Sequence, residues 1–234
     1  MLICVGGSLI QGLSGFGFAM FVMFFLPFIM PLKAAAVVTG VQTLFMGAYV
    51  LTKFKKHIDY KLAIVPLICS LVFVPIGVYI LVFGDENILK KVLGFTIIII
   101  SIFLFINSKK EIKVKTNIKN GIISGSLSGI MSGMFNVGGP PLVVYYLYGA
   151  KDKMSYKATL EFSFLLRSLL IVITHFIYGN IDLSIMKLSL SGIIGTLIGT
   201  MIGLKIFRKI NNKNLNVSVN ILMLVLGLLL ILNL

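Results

Sequence analysis

Charge is scarce in this sequence, and acidic charge is the scarcest. Charged residues make up 12% of the 234 residues, with 21 Lys and Arg against 7 Asp and Glu, while 58% of the residues are hydrophobic. A soluble domain carries about twice this share of charge. With a mean hydropathy of +1.06, the composition excludes an ordinary soluble protein. The net charge of +14 lies in short loops between apolar runs, which indicates the positive-inside pattern of membrane proteins and not nucleic-acid binding.

Residue types that build metal and catalytic sites are also scarce. The two cysteines, Cys4 and Cys69, lie in apolar runs without CxxC spacing, so no disulfide framework is predicted. The two histidines, His57 and His175, are far apart in the sequence, and no span holds a pair of carboxylates. We therefore predict no enzyme, no catalytic residues, no metal and no cofactor. No cleavable signal peptide is expected, because no basic region precedes the first apolar run.

Apolar segments follow one another along the whole chain. They are predicted at residues 2–30, 34–52, 62–83, 88–106, 121–148, 158–178, 188–204 and 215–232. The first is interrupted at Ser14–Gly17 and the fifth at Asn136–Pro141, where Gly and Pro stop a helix. Each arm of these two segments has about 11 to 16 residues, which is too short to span a bilayer alone.

The basic residues of the loops distinguish two topologies. If every segment crosses the membrane once, ten basic residues lie on each side. If the first and fifth segments are re-entrant hairpins, sixteen basic residues lie on one side and four on the other. The positive-inside rule favours the hairpins. We therefore predict an all-α, multi-pass protein of the cytoplasmic membrane. Its two inverted repeats each contain one broken, re-entrant helical hairpin and three transmembrane helices.

Short matches between the two halves support a duplication. Leu13–Gly15 matches Leu127–Gly129, and Lys33-Ala34 matches Lys157-Ala158, in the same order and at similar offsets. The predicted units are an N-terminal membrane repeat (1–107), a basic cytoplasmic connector (108–120) and a C-terminal membrane repeat (121–234). Inverted repeats with broken helices are a recurring plan of secondary transporters.

The two breaks are the predicted functional elements. A helix broken inside a bilayer leaves backbone groups unpaired, which costs several kcal/mol for each group unless it faces protein, water or a ligand. A helix N-terminus offers free N–H groups and a partial positive charge, which suit an anion. The alternative is that the glycines only permit kinks or packing. The predicted substrate-binding residues are Ser14, Gly15, Gly17, Thr43, Ser128, Gly129, Ser132, Asn136, Gly138, Gly139, Pro140 and Arg167.

Arg167 lies at the centre of the sixth segment and is the most informative single residue. Insertion of a cation there costs about 2.5 to 3.5 kcal/mol. An anionic substrate would supply the missing counter-charge, and Thr43 occupies the matching place in the first half. The alternative is a structural Arg bonded to carbonyl groups at a helix break. Glu161 lies on a different face of the same helix and is not its predicted partner.

Other intramembrane polar residues have two interpretations each. Glu161, Ser168 and His175 share a helix face at seven-residue spacing, which suits a proton relay. Glu161 and His175 also lie near the ends of the span, which favours side chains that snorkel to the interface. Gln11, Thr39, Gln42 and Ser163 either line a cavity or bond across helices. A glycine strip in the seventh segment, at Gly192, Gly195, Gly199 and Gly203, indicates close helix packing.

Two motifs resemble those of a known family. Gln11-Gly12-Leu13-Ser14-Gly15-Phe16-Gly17-Phe18 resembles the first signature of the sulfite exporter TauE/SafE family. Gly121, Gly125 and Ser128-Gly129, followed by Asn136–Pro141, resemble its second. The first motif departs from the commoner Gly-Gly-Gly form. The resemblance covers essentially the whole chain and implies a transporter, often an exporter, of sulfite, thiosulfate or organosulfonates such as sulfoacetate.

These observations together predict a secondary transporter of small anions that works by alternating access around a midplane site. Asn136, Gly138 and Gly139 would hold the anion at a helix end, and Arg167 would neutralise it. The predicted partners are a small inorganic or organosulfur anion and the lipid bilayer, without nucleic acid. A homodimer is left open. The rival functions are a passive anion channel or uniporter and a non-transporting scaffold subunit.

Overall fold

The computed structural model describes residues 1–110, 115–207 and 209, and its regular structure in these ranges is helical. The α-helices are α1 (Leu2–Ser14), α2 (Phe18–Phe25), α3 (Leu32–Phe54), α4 (Tyr60–Phe83), α5 (Glu86–Lys110), α6 (Ile118–Phe135), α7 (Gly139–Gly149), α8 (Lys153–Ile177) and α9 (Leu183–Phe207). Short 3-10 turns follow α2 and α3. The predicted all-α class is confirmed. The eighth predicted segment, 215–232, lies outside the described residues.

Helix length separates the elements that can cross a bilayer from those that cannot. The helix at Leu32–His57, which includes the 3-10 turn after α3, and the helices α4, α8 and α9 are each long and apolar enough to span a membrane. They correspond to the second, third, sixth and seventh predicted segments. The 13 residues of α1 reach only about 20 Å, well short of a hydrocarbon core about 30 Å thick. The chain is therefore a multi-pass membrane protein that also contains short apolar helices.

The first broken segment folds back on itself. The chain turns at Gly15 (φ 90°) and Gly17 (φ 103°), in the left-handed region that glycine adopts without a steric penalty. A Cβ atom on Gly7 would lie 3.1 Å from the side chains of Phe18 and Val22. In a straight helix, Gly7 and Val22 would be about 22 Å apart. Helices α1 and α2 thus form a hairpin around the predicted break.

The second broken segment folds back in the same way. Helix α6 ends at Phe135, its cap residue Asn136 adopts φ 59°, and α7 begins at Gly139. The Tyr145 hydroxyl near the end of α7 donates to the carbonyl of Asn117, just before α6, at 3.3 Å. In a straight helix these two residues would be about 42 Å apart. Both predicted breaks are confirmed, and both produce hairpins.

Each hairpin packs its first arm on a long helix of the other half through paired glycines. Helix α1 packs on α9, where a Cβ on Gly12 would lie 2.8 Å from the Cα of Gly203. Helix α6 packs on α4, where a Cβ on Gly133 would lie 2.8 Å from the Cα of Gly77. Because no side chain fits at these contacts, the predicted packing role of the α9 glycine strip is confirmed.

The two central helices cross in opposite directions. Gly40 of α3 lies beside Ile171 of α8, and Gly47 lies beside Leu165. Helices α3 and α8 occupy matching places in the two predicted repeats, and an inverted duplication requires them to be antiparallel. Their antiparallel arrangement supports the predicted inversion, which stays a prediction together with the proposed boundaries of the two repeats and the connector.

Candidate functional site

Helix α8 carries the buried charged side chains that define the candidate site. Lys157, Glu161 and Arg167 are all buried on this helix, with only 2% of Arg167 exposed. A buried charge is costly unless it is paired and hydrogen-bonded. The partners of each group therefore indicate what it does.

Arg167 lies against the break between α6 and α7. Its Nη1 donates to the hydroxyl of Ser132 at 2.7 Å and to the carbonyl of Gly138 at 3.2 Å, and it also contacts both the hydroxyl and the carbonyl of Ser128. Its Nε donates to the carbonyl of Ser163 at 3.3 Å. The Arg167 side chain thus stabilises the break between α6 and α7 through hydrogen bonds to uncharged oxygens.

One edge of the guanidinium is left for another acceptor. All hydrogen bonds from Arg167 to the described residues start from Nε or Nη1, and none starts from Nη2. No carboxylate in the described part of the chain forms an ion pair with it. The ring of Phe164 lies 4.9 Å from Cζ, which adds a cation–π contact. The two interpretations of Arg167 are therefore compatible, since one edge has a structural role and the other is available to an anion.

A small cavity of about 30 Å³ lies beside Arg167 and is lined by residues from both helix breaks. It has room for water or a solute of similar size, and not for a bulky organic ligand. The predicted site residues that line it are Gly17, Thr43, Ser132, Asn136, Gly139, Pro140 and Arg167. Gln11 and Ser168, which the sequence analysis considered in other roles, line it as well, and Phe164 was missed.

The remaining predicted residues do not line the cavity. The Ser14 hydroxyl donates to the carbonyls of Ile10 (2.8 Å) and Phe16 (2.7 Å), so it stabilises the first break. The hydroxyl of Ser128 donates to the carbonyl of Gly138 and stabilises the second. Gly15 packs against a tyrosine ring, and Gly129 packs on α4. The structure therefore places these residues where they shape the breaks rather than where they reach the cavity.

The two helix ends at the cavity differ in their N–H groups. In α2 the first intrahelical bond runs from Phe21 to Gly17, so the N–H groups of the three residues between them have no acceptor in their own helix. In α7 the second and third positions are Pro140 and Pro141, which have no N–H. The α2 end therefore offers more backbone donors than the α7 end, although the sequence analysis gave Gly138 and Gly139 the main anion-holding role.

The second buried cation, Lys157, lies at the first break and is neutralised. Its ammonium is 3.1 Å from Oε1 of Glu161 and donates to the carbonyl of Gln11 at 2.7 Å. The Gln11 amide in turn lies 3.3 Å from both oxygens of Glu161. The sixth predicted segment starts at residue 158, so the sequence analysis counted Lys157 as one of the sixteen basic loop residues, which was wrong. Helix α8 starts at Lys153, so Lys157 lies inside the helix and is fully buried.

The snorkelling interpretation of Glu161 and His175 was also wrong, because both side chains are buried in the protein. Glu161 bonds to Lys157 and Gln11, while Nδ1 of His175 lies 3.4 Å from the amide of Asn180. Fourteen residues of helix place Glu161 and His175 about 21 Å apart. These contacts do not join the two groups, so a proton relay through Ser168 stays a prediction.

Comparison with known proteins gave one match. A family model described as Sulfite exporter TauE/SafE matches residues 1–230 of this chain. No curated protein and no solved structure matches it. The match extends over both hairpins, the cavity and both buried cations.

Proposed function

This chain belongs to the sulfite exporter TauE/SafE family, and we propose that it is a secondary transporter that exports sulfite or a related small sulfur oxyanion across the cytoplasmic membrane. The observation that carries the proposal is the Arg167 guanidinium. It lies beside a cavity between two helix breaks, has no carboxylate partner among the described residues and keeps Nη2 unused. A positive charge in this setting favours an anion.

The donors around the cavity suit an anion with several oxygens. Nη2 of Arg167 would meet one oxygen, and the N–H groups at the start of α2 would meet others. Asn136 and Ser132 also line the cavity, although the Asn136 amide already donates to the carbonyl of Ala36 at 2.8 Å. The small volume of the cavity, about 30 Å³, argues against larger organosulfonates.

The packing of the hairpins supports alternating access. Each hairpin is attached to a long helix of the other half, α1 to α9 and α6 to α4, while α3 and α8 cross between them. Two bodies that meet at a central cavity can rock against each other and open it to one side at a time. The sequence has no ATPase motif, so a gradient of anion, proton or another ion would drive transport. A homodimer stays a prediction.

Transport in proteoliposomes tests the proposal. We expect saturable uptake of labelled sulfite that is accelerated by unlabelled sulfite inside the vesicles, as a carrier requires. Thiosulfate should compete, phosphate and chloride should compete weakly, and sulfoacetate should compete less than sulfite. Uptake that never saturates and shows no counterflow would instead indicate a channel, and no transport of any of these anions would favour a scaffold.

Cysteine labelling tests the hairpin topology independently of transport. A cysteine at Lys115, before α6, and a cysteine at Lys153, after α7, should both react with an impermeant reagent from the cytoplasmic side. The two cysteines should lie on the same side of the membrane because α7 folds back along α6. Labelling from opposite sides would contradict the re-entrant hairpin.

A further inference from the structure

A basic groove lies at one end of the protein, between the turn after α3 and the start of α8. Its basic residues are Lys56, His57, Lys61 and Lys151, and its two acidic residues are Asp59 and Asp152. The groove has a volume of about 470 Å³ and adjoins a second depression that shares Lys61 and Lys151. It lies well outside the cavity beside Arg167 and shares no lining residue with it.

Both carboxylates of the basic groove are used as helix caps. Asp59 accepts from the N–H of Leu62 at 3.1 Å, and Asp152 accepts from the N–H groups of Met154 and Ser155 at 2.8 Å. The bond from the Ser155 N–H lowers the pKa of Asp152, so this carboxylate stays ionised at the start of α8. The partial positive charge of each helix end offsets part of the negative charge.

The lysines of the basic groove have no such partners. Among the residues that the structure describes, Lys56, Lys61 and Lys151 form no ion pair. The N–H of Asp59 donates to the hydroxyl of Thr159 in α8 at 2.9 Å, which connects the turn after α3 to α8. The groove thus carries more ammonium groups than carboxylates, and its lysines form no close ion pair, although Lys151 and His57 act on Asp152 at longer range.

An apolar stripe begins at the basic groove and continues along α4. Tyr60, Ile64, Ile68 and Val72 recur every four residues, and each is more than half exposed. Tyr60 belongs to the groove itself and packs edge-on against Phe162, with ring centroids 5.5 Å apart. The stripe extends for about 18 Å, slightly more than one leaflet of a hydrocarbon core about 30 Å thick.

We propose that the basic groove binds the headgroup phosphate of an anionic phospholipid whose acyl chain lies along the α4 stripe. A phospholipid carries a phosphate joined to an apolar chain, and the protein presents ammonium groups joined to an apolar stripe in the same order. A free anion would use only the first of these two surfaces. Basic pockets between transmembrane helices are suited to such headgroups.

Lipid binding to the purified full-length protein tests this proposal without any transport measurement. Delipidated protein would be titrated with phosphatidylglycerol or phosphatidylcholine, and bound lipid would be counted by native mass spectrometry. We expect clear selectivity for phosphatidylglycerol. The variant K56A/K61A/K151A should bind it about a hundredfold more weakly, since each lysine near an anionic headgroup contributes a several-fold gain in affinity.

Three further samples separate the possible outcomes. The matched control K33A/K91A/K187A removes three lysines from elsewhere on the protein and should bind phosphatidylglycerol normally, whereas K56R/K61R/K151R keeps the groove charges and should also bind. Ile68→Ser should weaken phosphatidylglycerol binding several-fold through the stripe. Equal loss in the control would overturn the proposal, as would displacement of the lipid by millimolar inorganic phosphate or sulfite. If K56A/K61A/K151A does not fold, the same titration of Lys61→Ala, at an exposed position, decides the question.

Discussion

The two buried cations of α8 lie ten residues apart, about 15 Å along the helix, yet they have opposite surroundings. Lys157 has a carboxylate one turn away and an amide that bonds to the same carboxylate. Arg167 has only neutral oxygens, and one edge of its guanidinium has no acceptor among the described residues. The difference teaches that burial of a charge at a helix break does not by itself indicate a ligand site. The absence of a counter-charge does.

Helix α8 therefore contacts the two breaks with side chains of different net charge. At the first break, Lys157 bonds to the carbonyl of Gln11 and fixes the end of α1, while Glu161 cancels its charge. At the second break, Arg167 fixes the end of α6 and contributes a positive charge to the cavity. In the proposed site, the neutral first break would supply backbone N–H groups from the start of α2, whose residues Ala19 and Met20 line the same cavity. Charge and backbone donors would then come from different breaks.

The largest expected effect is the loss of stability in Lys157→Met. This change leaves Glu161 buried with only the Gln11 amide as a partner, which should cost about 3 to 5 kcal/mol in the free energy of unfolding. The double variant Lys157→Met/Glu161→Leu should recover most of this loss, because no uncompensated charge remains. Thermal unfolding in detergent, monitored by circular dichroism, measures both. A stable Lys157→Met protein that fails to transport would instead place Lys157 in the anion site.

The next effect is the loss of transport in Arg167→Gln. The amide retains some hydrogen bonds to the break but removes the charge, so sulfite transport should fall about 10- to 100-fold, as expected for a lost charged hydrogen bond. Stability should fall less than in Lys157→Met, since no carboxylate is orphaned. Initial rates over a range of sulfite concentrations measure the change, with Lys187→Gln at an exposed position of α9 as the control. Unchanged transport would show that Arg167 is structural alone.

Local signals explain what the sequence could predict about these two regions. Glycines and prolines act within a few residues, so both breaks could be located before the structure was known. Pro140 and Pro141 could also be read from the sequence, and their missing N–H groups could have shown that the start of α7 has few backbone hydrogen-bond donors. The four-residue spacing of Lys157 and Glu161 could have indicated a helical ion pair.

Long-range packing explains what the sequence could not predict. The amide of Gln11 contacts Glu161 across 150 positions of the chain, and no local pattern signals this bond. The burial of Lys157 depends on α8 starting at Lys153, five residues before the apolar segment predicted from hydropathy. The unused edge of Arg167 also depends on where α6 and α7 place Ser132 and Gly138 around it. Such features require the assembled helices.

A smaller effect is expected at the residue that closes α6. Asn136 adopts φ 59°, and its side-chain amide donates to the carbonyl of Ala36 at 2.8 Å. Asn136→Ala should lose about 1 to 2 kcal/mol relative to Asn136→Gly, because only the alanine is strained in this conformation. Transport by the glycine variant separates the backbone role from the amide role. Full activity in Asn136→Gly would remove the amide from the proposed site.

The smallest effect should come from Thr43, the predicted counterpart of Arg167 in the N-terminal repeat. It lines the cavity, but its hydroxyl already donates to the carbonyl of Thr39 at 2.8 Å, so it has no further proton to offer an anion. Thr43→Val keeps the shape and should change sulfite transport by no more than about threefold, in line with about 0.6 kcal/mol for a polar contact within a membrane protein. Competition between sulfite and thiosulfate in the same vesicles would detect any change in selectivity. A loss as large as that of Arg167→Gln would mean that both halves contact the anion equally, and the contrast between the two breaks would then fail.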